Sequence, residues 1–272
     1  MKAAALKEPD VQLGESPRPP LKWAGGKRWQ VPHLVEFWNE NEHRRLVEPF
    51  AGGLAVALGL MPKRAWLNDV NPHLINFYSW LKVGLVVDET FENKEKWFYK
   101  ARTRFNKLLK TGGADSAEAA GLFYYLNRTG YNGLCRFNSS GEFNVPFGRY
   151  ANINYRYDFS EYKAVFSAWE FTNLSFRDME LQEEDFVYAD PPYDVEFTTY
   201  SKDGFSWEDQ KAAAKWLAKH AGPVILSNQA TDRIMDLYKD LRFKTPTYKA
   251  PRRISCTGDR SPALEVLATR HL

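Results

Sequence analysis

The chain has 272 residues, of which 44% are hydrophobic and 26% charged, and its formal net charge is +3. These values are typical of a folded globular chain with one large domain, or with one domain that carries a substantial insert. The longest uncharged apolar run, residues 50–61, is too short to cross a bilayer, and the first ten residues lack the apolar core of a secretion signal. We therefore expect a cytoplasmic protein with no membrane partner.

Cysteines and histidines give no sign of a metal centre. Cys135 and Cys256 form no Cys-x-x-Cys pair, and the five histidines are scattered. A reducing compartment and the absence of a metal are the expectation.

Segments typical of strands and helices alternate along most of the chain, after a polar, proline-containing tail at residues 1–19 that we expect to be disordered. Asn71-Pro72 and Ser206-x-x-Asp209 predict two helix starts. The predicted strands are 44–50, 64–70, 185–190, 223–228 and 263–269, and helices are predicted at 54–61, 73–84, 207–220 and 231–241. This order predicts an α/β fold with a mostly parallel sheet.

The alternation stops between about residues 83 and 154. Two helical stretches, 94–110 and 116–128, are followed there by a glycine- and asparagine-rich piece. Residues 82–150 contain 11 lysines and arginines against 7 acidic residues, whereas the rest of the chain is close to neutral. A basic insert points to a polyanion, although a solvated helix face gives the same pattern.

Three motifs each terminate a predicted strand, where ligands bind in parallel sheets. In "EPFAGG", Gly52 and Gly53 would let a ligand approach the backbone, but no phosphate-loop or dinucleotide spacing is present. In "NDVNP", the Asp69 carboxylate could accept hydrogen bonds from ribose hydroxyls. Together the two motifs favour a site for an adenosine-containing ligand that needs no phosphate group. The alternative is that both are ordinary tight turns.

A fourth motif, "LKWAGGK", places an aromatic ring and two ammonium groups around a pair of glycines. Trp23 with Lys22 and Lys27 could enclose a flat, charged small molecule, and the alternative is a simple helix start.

The tetrapeptide Asp190-Pro191-Pro192-Tyr193 is stiff and rich in acceptors, because both prolines fix φ and neither offers an N–H. Asp190 and the Pro191 carbonyl could accept from the N–H groups of an exocyclic amine and free its lone pair to attack a methyl sulfonium. Tyr193 could stack on the base, extruded from its duplex, and the methyl group would transfer in line. A bare turn is the alternative for the tetrapeptide alone.

The motifs "LKWAGGK", "EPFAGGLA", "LNRTGYNGLCRFNSSGEFNVPFGRY" and "VYADPPY" resemble the Dam family, the α-class, D12-type DNA adenine-N6 methyltransferases. The resemblance runs from Leu21 to the C-terminus, and the third motif is long and specific. It implies a Rossmann-like S-adenosylmethionine-dependent methyltransferase fold with an inserted, mainly helical target-recognition domain. It also implies methylation of adenine N6 in double-stranded GATC, on the nucleoid of a bacterial or phage-infected cell, by a monomer without a metal.

The resemblance implies domain boundaries and the residues of the cofactor and catalytic sites. The catalytic domain would comprise residues 20–82 and 155–272, and the target-recognition domain 83–154 with a hairpin-like reading loop at about 128–150. Asp190 to Tyr193 would form the catalytic tetrapeptide. Asp69 would bind the ribose and Phe176 would lie beside the adenine. The expected cofactor set is Trp23, Ala24, Lys27, Phe50, Gly52, Asp69, Phe176 and Asp190.

The resemblance also implies the residues that read DNA. Arg136 and Leu134 would read one base pair, Lys22 would contact the first guanine, and Tyr131 would wedge beside the flipped adenine. Arginine is the natural bidentate reader of guanine, and leucine or proline can touch a thymine methyl. The expected DNA-binding set is Lys22, Arg128, Tyr131, Asn132, Leu134, Arg136, Asn138, Asn144, Pro146 and Arg149.

Some features depart from the family or stay open. Gly52-Gly53-Leu54 replaces a G-x-G and resembles phage-type members, and residues 198–205 resemble a loop that orders over the target. Transfer to cytosine N4, an RNA base or a protein amide remains an alternative, as does methylation at a different DNA site. A DNA-binding protein without catalysis is a further alternative, against which the intact Asp190 and Tyr193 speak. The pattern does not distinguish epigenetic marking, phage protection and restriction–modification. His33 and His220 are expected to be surface or packing residues, and Cys135 has no assigned role.

Overall fold

The computed structural model describes residues 16–194, 205–250 and 263–272. The predictions for most of the N-terminal tail, for the loop at 198–204 and for Cys256 lie outside the described residues.

One seven-stranded sheet organises the fold, in the order β3-β2-β1-β4-β5-β7-β6. Its strands are β1 (Arg45–Glu48), β2 (Ala65–Asn68), β3 (Trp169–Thr172), β4 (Asp185–Ala189), β5 (Val224–Gln229), β6 (Thr247–Ala250) and β7 (Ala263–Arg270). The first five strands of the chain pair in parallel, whereas β7 runs antiparallel between β5 and β6. The prediction of an α/β fold with a mostly parallel sheet is confirmed, and β3 and β6 are the strands that the sequence did not indicate.

Eight α-helices are found in the described part of the chain. They are α1 (Val31–Asn39), α2 (Ala57–Leu60), α3 (Pro72–Val83), α4 (Glu95–Lys110), α5 (Ala117–Thr129), α6 (Ser160–Phe166), α7 (Trp207–Ala218) and α8 (Asp232–Asp240). None of the helices in these described segments is long and apolar enough to cross a membrane.

Local sequence signals set several of these boundaries. The Asn71 side chain caps α3 by accepting from the N–H groups of its first turn, and Ser206 forms a capping box with Asp209 at the start of α7. The helix predicted for 54–61 is shorter than expected, because Leu54 has a left-handed backbone (φ +58°) and only Ala57–Leu60 is helical. The chain after β1 is therefore mainly a turn.

The helical insert shares its core with the sheet-forming part of the chain. Helix α5 is buried almost throughout, and it packs against both α3 and α4. Many of the aromatic residues meet here, with ring centroids 4.9–6.4 Å apart: Phe77, Phe91, Phe98, Phe105, Phe123, Tyr124, Tyr125, Phe143, Tyr155 and Phe159. Core packing thus accounts for much of the high aromatic content.

Candidate active site

A cleft of about 690 Å³ lies at the carboxyl ends of β1, β2 and β4. All three strand-end motifs and the "LKWAGGK" segment contribute to it, as parallel strand topology requires. The predicted site residues that line it are Trp23, Ala24, Lys27, Phe50, Gly52, Asp69, Asp190, Pro191, Pro192 and Tyr193. The fold therefore brings together all of the predicted cofactor and catalytic residues except Phe176.

The two oxygens of the Asp190 carboxylate differ in their partners. Its Oδ2 lies 3.3 Å from Lys27 Nζ, whereas its buried Oδ1 has no hydrogen-bond partner among the described residues. Burial raises the pKa of Asp190 to about 6, and the Lys27 ammonium opposes that rise. Lys27 Nζ also donates to the Gly25 carbonyl (2.9 Å) and lies 4.2 Å from the centre of the Tyr193 ring. An unpaired buried acceptor is costly, which favours a ligand donor at this point.

Side chains of the next two helices hold the second proline of the Asp190–Tyr193 turn and the residue that follows the turn. Gln210 of α7 donates to the Pro192 carbonyl (2.6 Å), and Arg233 of α8 forms a two-pronged ion pair with Asp194. The buried Asn228 amide of β5 in turn donates to Gln210 Oε1 (3.0 Å). These contacts fix the direction in which the turn presents its oxygens.

The Tyr193 ring is oriented by a buried polar network beneath the cleft. Its hydroxyl donates to Glu265 Oε2 (2.6 Å) and lies 3.1 Å from Ser227 Oγ. Gln30 Nε2 contacts the same two groups at 3.1 and 3.0 Å, and the Tyr188 hydroxyl donates to Gln30 Oε1 (2.7 Å). Burial raises the pKa of Tyr193, so its hydroxyl stays protonated and keeps donating.

Asp69 links the turns that follow β1 and β2. Its two carboxylate oxygens accept from the backbone N–H groups of Gly52 (3.0 Å) and Asn71 (2.9 Å). Burial raises the pKa of Asp69, and these two backbone hydrogen bonds oppose the rise. The carboxylate keeps further lone pairs for hydroxyl donors on its cleft side.

The reason for the two glycines after β1 differs from the sequence-based interpretation. An added Cβ at Gly52 would lie 2.8 Å from Trp23 Nε1, and one at Gly53 would lie 2.7 Å from Trp23 Cβ. The close approach is therefore made by the Trp23 side chain rather than by a ligand at the glycine backbone. Gly52 also needs a left-handed backbone (φ +46°).

Phe176 is not among the residues that line the cleft, and its predicted place beside the adenine stays a prediction. It is buried behind Phe50, with ring centroids 5.6 Å apart. Phe205, which the sequence did not indicate, completes this cluster at 5.5 Å from Phe50 and 5.9 Å from Phe176. Phe50, Phe176 and Phe205 thus form one aromatic cluster, of which Phe50 lines the cleft.

The predicted reading loop forms an irregular antiparallel hairpin. Isolated bridges pair Gly130 with Phe147 and Phe137 with Phe143, and the Tyr131 N–H donates to the Pro146 carbonyl (2.9 Å). At its tip, the Asn138 side chain accepts from two backbone N–H groups and closes the turn. The residues of the predicted DNA-binding set that are exposed on it are Tyr131, Asn132, Arg136, Asn138, Pro146 and Arg149, whereas Arg128, Leu134 and Asn144 are half-buried.

Two predicted DNA contacts already have partners within the protein. Arg136 Nε donates to Asn144 Oδ1 across the hairpin (2.8 Å). Lys22 Nζ donates to the Arg128 carbonyl (2.9 Å) and lies 3.5 Å from the centre of the Tyr150 ring. Burial and the Arg128 charge lower the pKa of Lys22 to about 8. The segment before the cleft is thereby attached to the hairpin.

Comparison with known proteins identifies the family. A family model described as D12 class N6 adenine-specific DNA methyltransferase matches residues 23–254, well over half of the chain. The protein belongs to this family. The DNA adenine methylase of Escherichia coli strain K12 is 36% identical over 273 residues, 91% of this chain and 93% of the relative. The retron Ec67 DNA adenine methylase of Escherichia coli is 36% identical (91% and 90% covered), and the type II methyltransferase M1.LlaDCHI of Lactococcus lactis subsp. cremoris is 32% identical (93% and 95%).

Membership in the D12 class confirms the predicted resemblance and fold. The protein is an adenine-specific DNA methyltransferase, which implies DNA as substrate and S-adenosylmethionine as methyl donor. Among the described residues of this D12-class protein, no group of three or more histidine, cysteine, aspartate or glutamate side chains could hold a metal ion.

Several residues that support the cleft of this D12-class protein were missed by sequence reasoning. They are Gln30, Glu48, Asn127, Tyr188, Phe205, Gln210, Ser227, Arg233 and Glu265. Asn127, which is buried, donates to the carbonyls of both Lys22 and Gly133. For two of these residues the sequence did offer a signal, because Glu48 and Glu265 are acidic residues inside otherwise apolar strand segments.

Other polar residues of this D12-class protein have structural roles. His33 stacks on Tyr248, and His220, which is buried rather than exposed, contacts the Asp185 carbonyl. Burial raises the pKa of the Cys135 thiol to about 12, which favours the protonated thiol over the thiolate. Arg104 and Lys110 of α4 are paired with Glu89 and Glu142, which lie within the insert, so these ion pairs leave its net positive charge unchanged.

The packing of Trp23 on the glycine turn of the D12-class protein predicts a large effect of Gly53→Ala. The new methyl would clash with Trp23 Cβ at 2.7 Å and push the indole from the cleft wall. We expect affinity for S-adenosylhomocysteine to fall at least about tenfold, measured by calorimetry. Gly112→Ala is the control, because its added methyl meets no atom within 4 Å and its only cost is the strain of the left-handed backbone (φ +82°). Equal ligand affinity in Gly53→Ala and wild type would contradict this role of Trp23.

Proposed function

We propose that the protein methylates N6 of the adenine in double-stranded GATC, and that the adenine is extruded from the duplex into the cleft beside Asp190–Tyr193. The observation that carries this proposal is the buried Oδ1 of Asp190, which has no hydrogen-bond partner in the part of the chain that the structure describes. A flipped adenine presents an amine with two N–H groups, and one of them can donate the hydrogen bond that Asp190 Oδ1 lacks. Residues 83–154 would act as the target-recognition domain of a monomeric enzyme working on the nucleoid.

The cleft residues fit S-adenosylmethionine, which supplies a methyl group on a positively charged sulfur. Asp69 offers carboxylate oxygens to ribose hydroxyls, and Trp23 and Phe50 offer apolar walls. Lys27 provides a cation, and it is buried with its ammonium beside Asp190. The cofactor residues from the family resemblance, with Ala24 and Gly52 as backbone contributors, are assigned to this role.

In this mechanism the protein acts mainly by positioning and electrostatics. Asp190 Oδ1 and the Pro191 carbonyl accept hydrogen bonds from the two amine N–H groups, which draws the nitrogen lone pair out of the ring. Lys27 keeps Asp190 ionised and oriented through Oδ2. Gln210 holds the Pro192 carbonyl and Arg233 holds the Asp194 carboxylate. The Glu265–Gln30 network fixes the Tyr193 ring for stacking. The ionised Asp190 Oδ1 is also placed to hold the proton that the amine must lose.

The target sequence is supported by the reading residues. Lys22, Leu134, Arg136 and Pro146 all occur where the resemblance expects base contacts, and three of them lie on the hairpin. Tyr131 is 51% exposed beside them, which suits an aromatic wedge. Arg128, Asn138, Asn144 and Arg149 are assigned to contacts with the DNA backbone, and Asn132 belongs to the DNA-binding set without a more specific role.

The proposal is tested with unmethylated plasmid DNA and S-adenosylmethionine. After incubation, the DNA is digested with one enzyme that cuts only methylated GATC and one that cuts only unmethylated GATC. We expect sensitivity to the first and resistance to the second. Unchanged sensitivity to both would overturn the GATC assignment, and incorporation of labelled methyl in that case would show a different target.

The pKa of Asp190 predicts how the reaction depends on pH. Protonation removes the ionised acceptor, so kcat/KM should fall about tenfold per pH unit below the Asp190 pKa of about 6 and level off above it. Because Lys27 lowers this pKa, Lys27→Met should move the midpoint to higher pH. Lys239→Met on the exposed surface of α8 is the control and should leave the midpoint unchanged. A midpoint that is the same in Lys27→Met and wild type would contradict the role of this ion pair.

A further inference from the structure

Asn127, in the last turn of α5, is a buried amide that no step above uses. Its Oδ1 accepts from the Lys22 N–H (2.9 Å), and its Nδ2 donates to the carbonyls of Lys22 (2.8 Å) and Gly133 (3.1 Å). The side chain thus binds both backbone groups of a residue 105 positions earlier in the chain. A carboxylate has no donor for the two carbonyls, so the set requires an amide.

The two segments that Asn127 joins serve different parts of the site. Lys22 precedes Trp23, which lines the cleft. Gly133 lies in the reading hairpin and precedes Leu134. The segments fit closely, because a Cβ added at Gly133 would lie 2.4 Å from Lys22 Cβ. A shift of the Lys22 backbone would therefore disturb both the hairpin and the cleft wall.

The Lys22 ammonium has to exchange partners when it meets a base. In the free protein it donates to the Arg128 carbonyl (2.9 Å) and lies 3.5 Å from the centre of the Tyr150 ring. Because Asn127 fixes the N–H and the carbonyl of Lys22, the exchange can proceed by rotation about the side-chain bonds alone. Trp23 then keeps its place in the cleft.

We propose that Asn127 is a positioning residue, which holds the Lys22 backbone against the reading hairpin so that the Lys22 ammonium reaches the first guanine of the target. The inference rests on the proposed GATC specificity and on the assignment of Lys22 to that guanine. A structural role alone predicts lower stability with unchanged base-pair discrimination. A positioning role predicts that discrimination is lost at the base pair of that guanine, the first pair.

The loss should be confined to the first pair, because the hairpin has further support from α4. The Asn106 side chain donates to the Phe143 carbonyl (3.1 Å) and accepts from the Phe143 N–H (2.8 Å), and Arg102 donates to the Val145 carbonyl (3.2 Å). These contacts do not involve Asn127, so its removal should act mainly on Lys22.

The test is methyl transfer by the full-length protein on hemimethylated duplexes, in which only one adenine can accept. One duplex carries GATC, a second is altered at the first pair and a third at the fourth pair. Discrimination is the ratio of kcat/KM on GATC to that on an altered site. In Asn127→Ala it should fall at least about fivefold at the first pair, since one wrong pair typically costs about 5- to 150-fold. At the fourth pair it should stay within about twofold of wild type.

Asn76→Ala is the matched control. The buried Asn76 amide donates to the carbonyls of Ala114 (3.0 Å) and Ser116 (3.3 Å), near the opposite end of α5. Both variants lose a buried amide and should be less stable than wild type. Asn76→Ala should nevertheless retain wild-type discrimination at both pairs, and an equal loss in the two variants would overturn the inference.

A double-mutant cycle tests whether Asn127 acts through Lys22. Lys22→Ala and the double variant Lys22→Ala/Asn127→Ala should discriminate the first pair equally, because the side chain that Asn127 positions is already absent. Losses that add, unchanged discrimination in Lys22→Ala, or wild-type discrimination in Asn127→Ala would each overturn the inference and leave the GATC specificity intact. If wild type itself does not prefer GATC to the altered duplexes, the proposed function fails instead.

If Asn127→Ala does not fold, Gly133→Ala decides. Its new methyl would meet Lys22 Cβ at 2.4 Å and force the Lys22 backbone from the hairpin, so it should show the same selective loss at the first pair. Gly112→Ala controls for the strain of a left-handed backbone, because φ is +82° there and +63° at Gly133, and its methyl meets no atom within 4 Å. Retained first-pair discrimination in Gly133→Ala would overturn the inference.

Discussion

Replacing Asp190 by alanine is expected to lower the rate of methyl transfer by at least about a thousandfold, because acceptor and electrostatic contributions of this kind are worth factors of about 10² to 10⁴. The change removes the unpaired Oδ1 that faces the cleft, and it also leaves the Lys27 ammonium without its carboxylate, 3.3 Å away in the wild type. DNA binding should persist, because the residues assigned to it lie on the insert and at Lys22.

The rate is measured in single-turnover reactions with labelled methyl donor, and DNA binding by fluorescence anisotropy on a GATC duplex. Asp240→Ala, at the exposed end of α8, serves as the control for a lost carboxylate and should retain full activity. A variant at Asp190 that retains more than about a tenth of the wild-type rate would contradict the acceptor role of this residue.

Arg136→Ala should lower kcat/KM on GATC and relax specificity at one base pair. A bidentate contact of arginine to guanine is worth about 1–3 kcal/mol, which corresponds to about 5- to 150-fold in kcat/KM. In the free protein the guanidinium is exposed and is oriented through its Nε by the Asn144 side chain. This leaves most of its donor groups available for a base edge.

The measurement compares wild type and variant on duplexes that contain GATC or a site altered at a single base pair. Arg44→Ala is the matched control, since Arg44 lies near the opposite end of β1, where it contacts Asn41 and the Glu183 carbonyl. If wild type and Arg136→Ala turn over both kinds of site equally, Arg136 does not read the target.

Local sequence signals predicted many of the helices and strands. The caps at Asn71 and Ser206 set the starts of α3 and α7, and the apolar run before Asp190 is β4, buried along its whole length. Parallel strand topology then brought the strand-end motifs together, because the carboxyl ends of β1, β2 and β4 meet at one edge of the sheet.

Tertiary contacts explain what the sequence could not predict. The tightness of the turn at Gly53 depends on Trp23, which is 30 residues away in the chain. The support of Tyr193 by Glu265 depends on β7 entering the sheet antiparallel, and strand direction leaves no mark in a short apolar segment. The oxygens of Asp190 and Glu48 that lack a partner among the described residues can be recognised only when the positions of the neighbouring hydrogen-bond donors are known.

The most direct test of the central claim is to map modified bases at single-nucleotide resolution in plasmid DNA treated with the protein and S-adenosylmethionine. We expect N6-methyladenine at the adenine of GATC on both strands and none at other adenines. N4-methylcytosine, N6-methyladenine outside GATC as the main product, or no modified base at all would contradict the account.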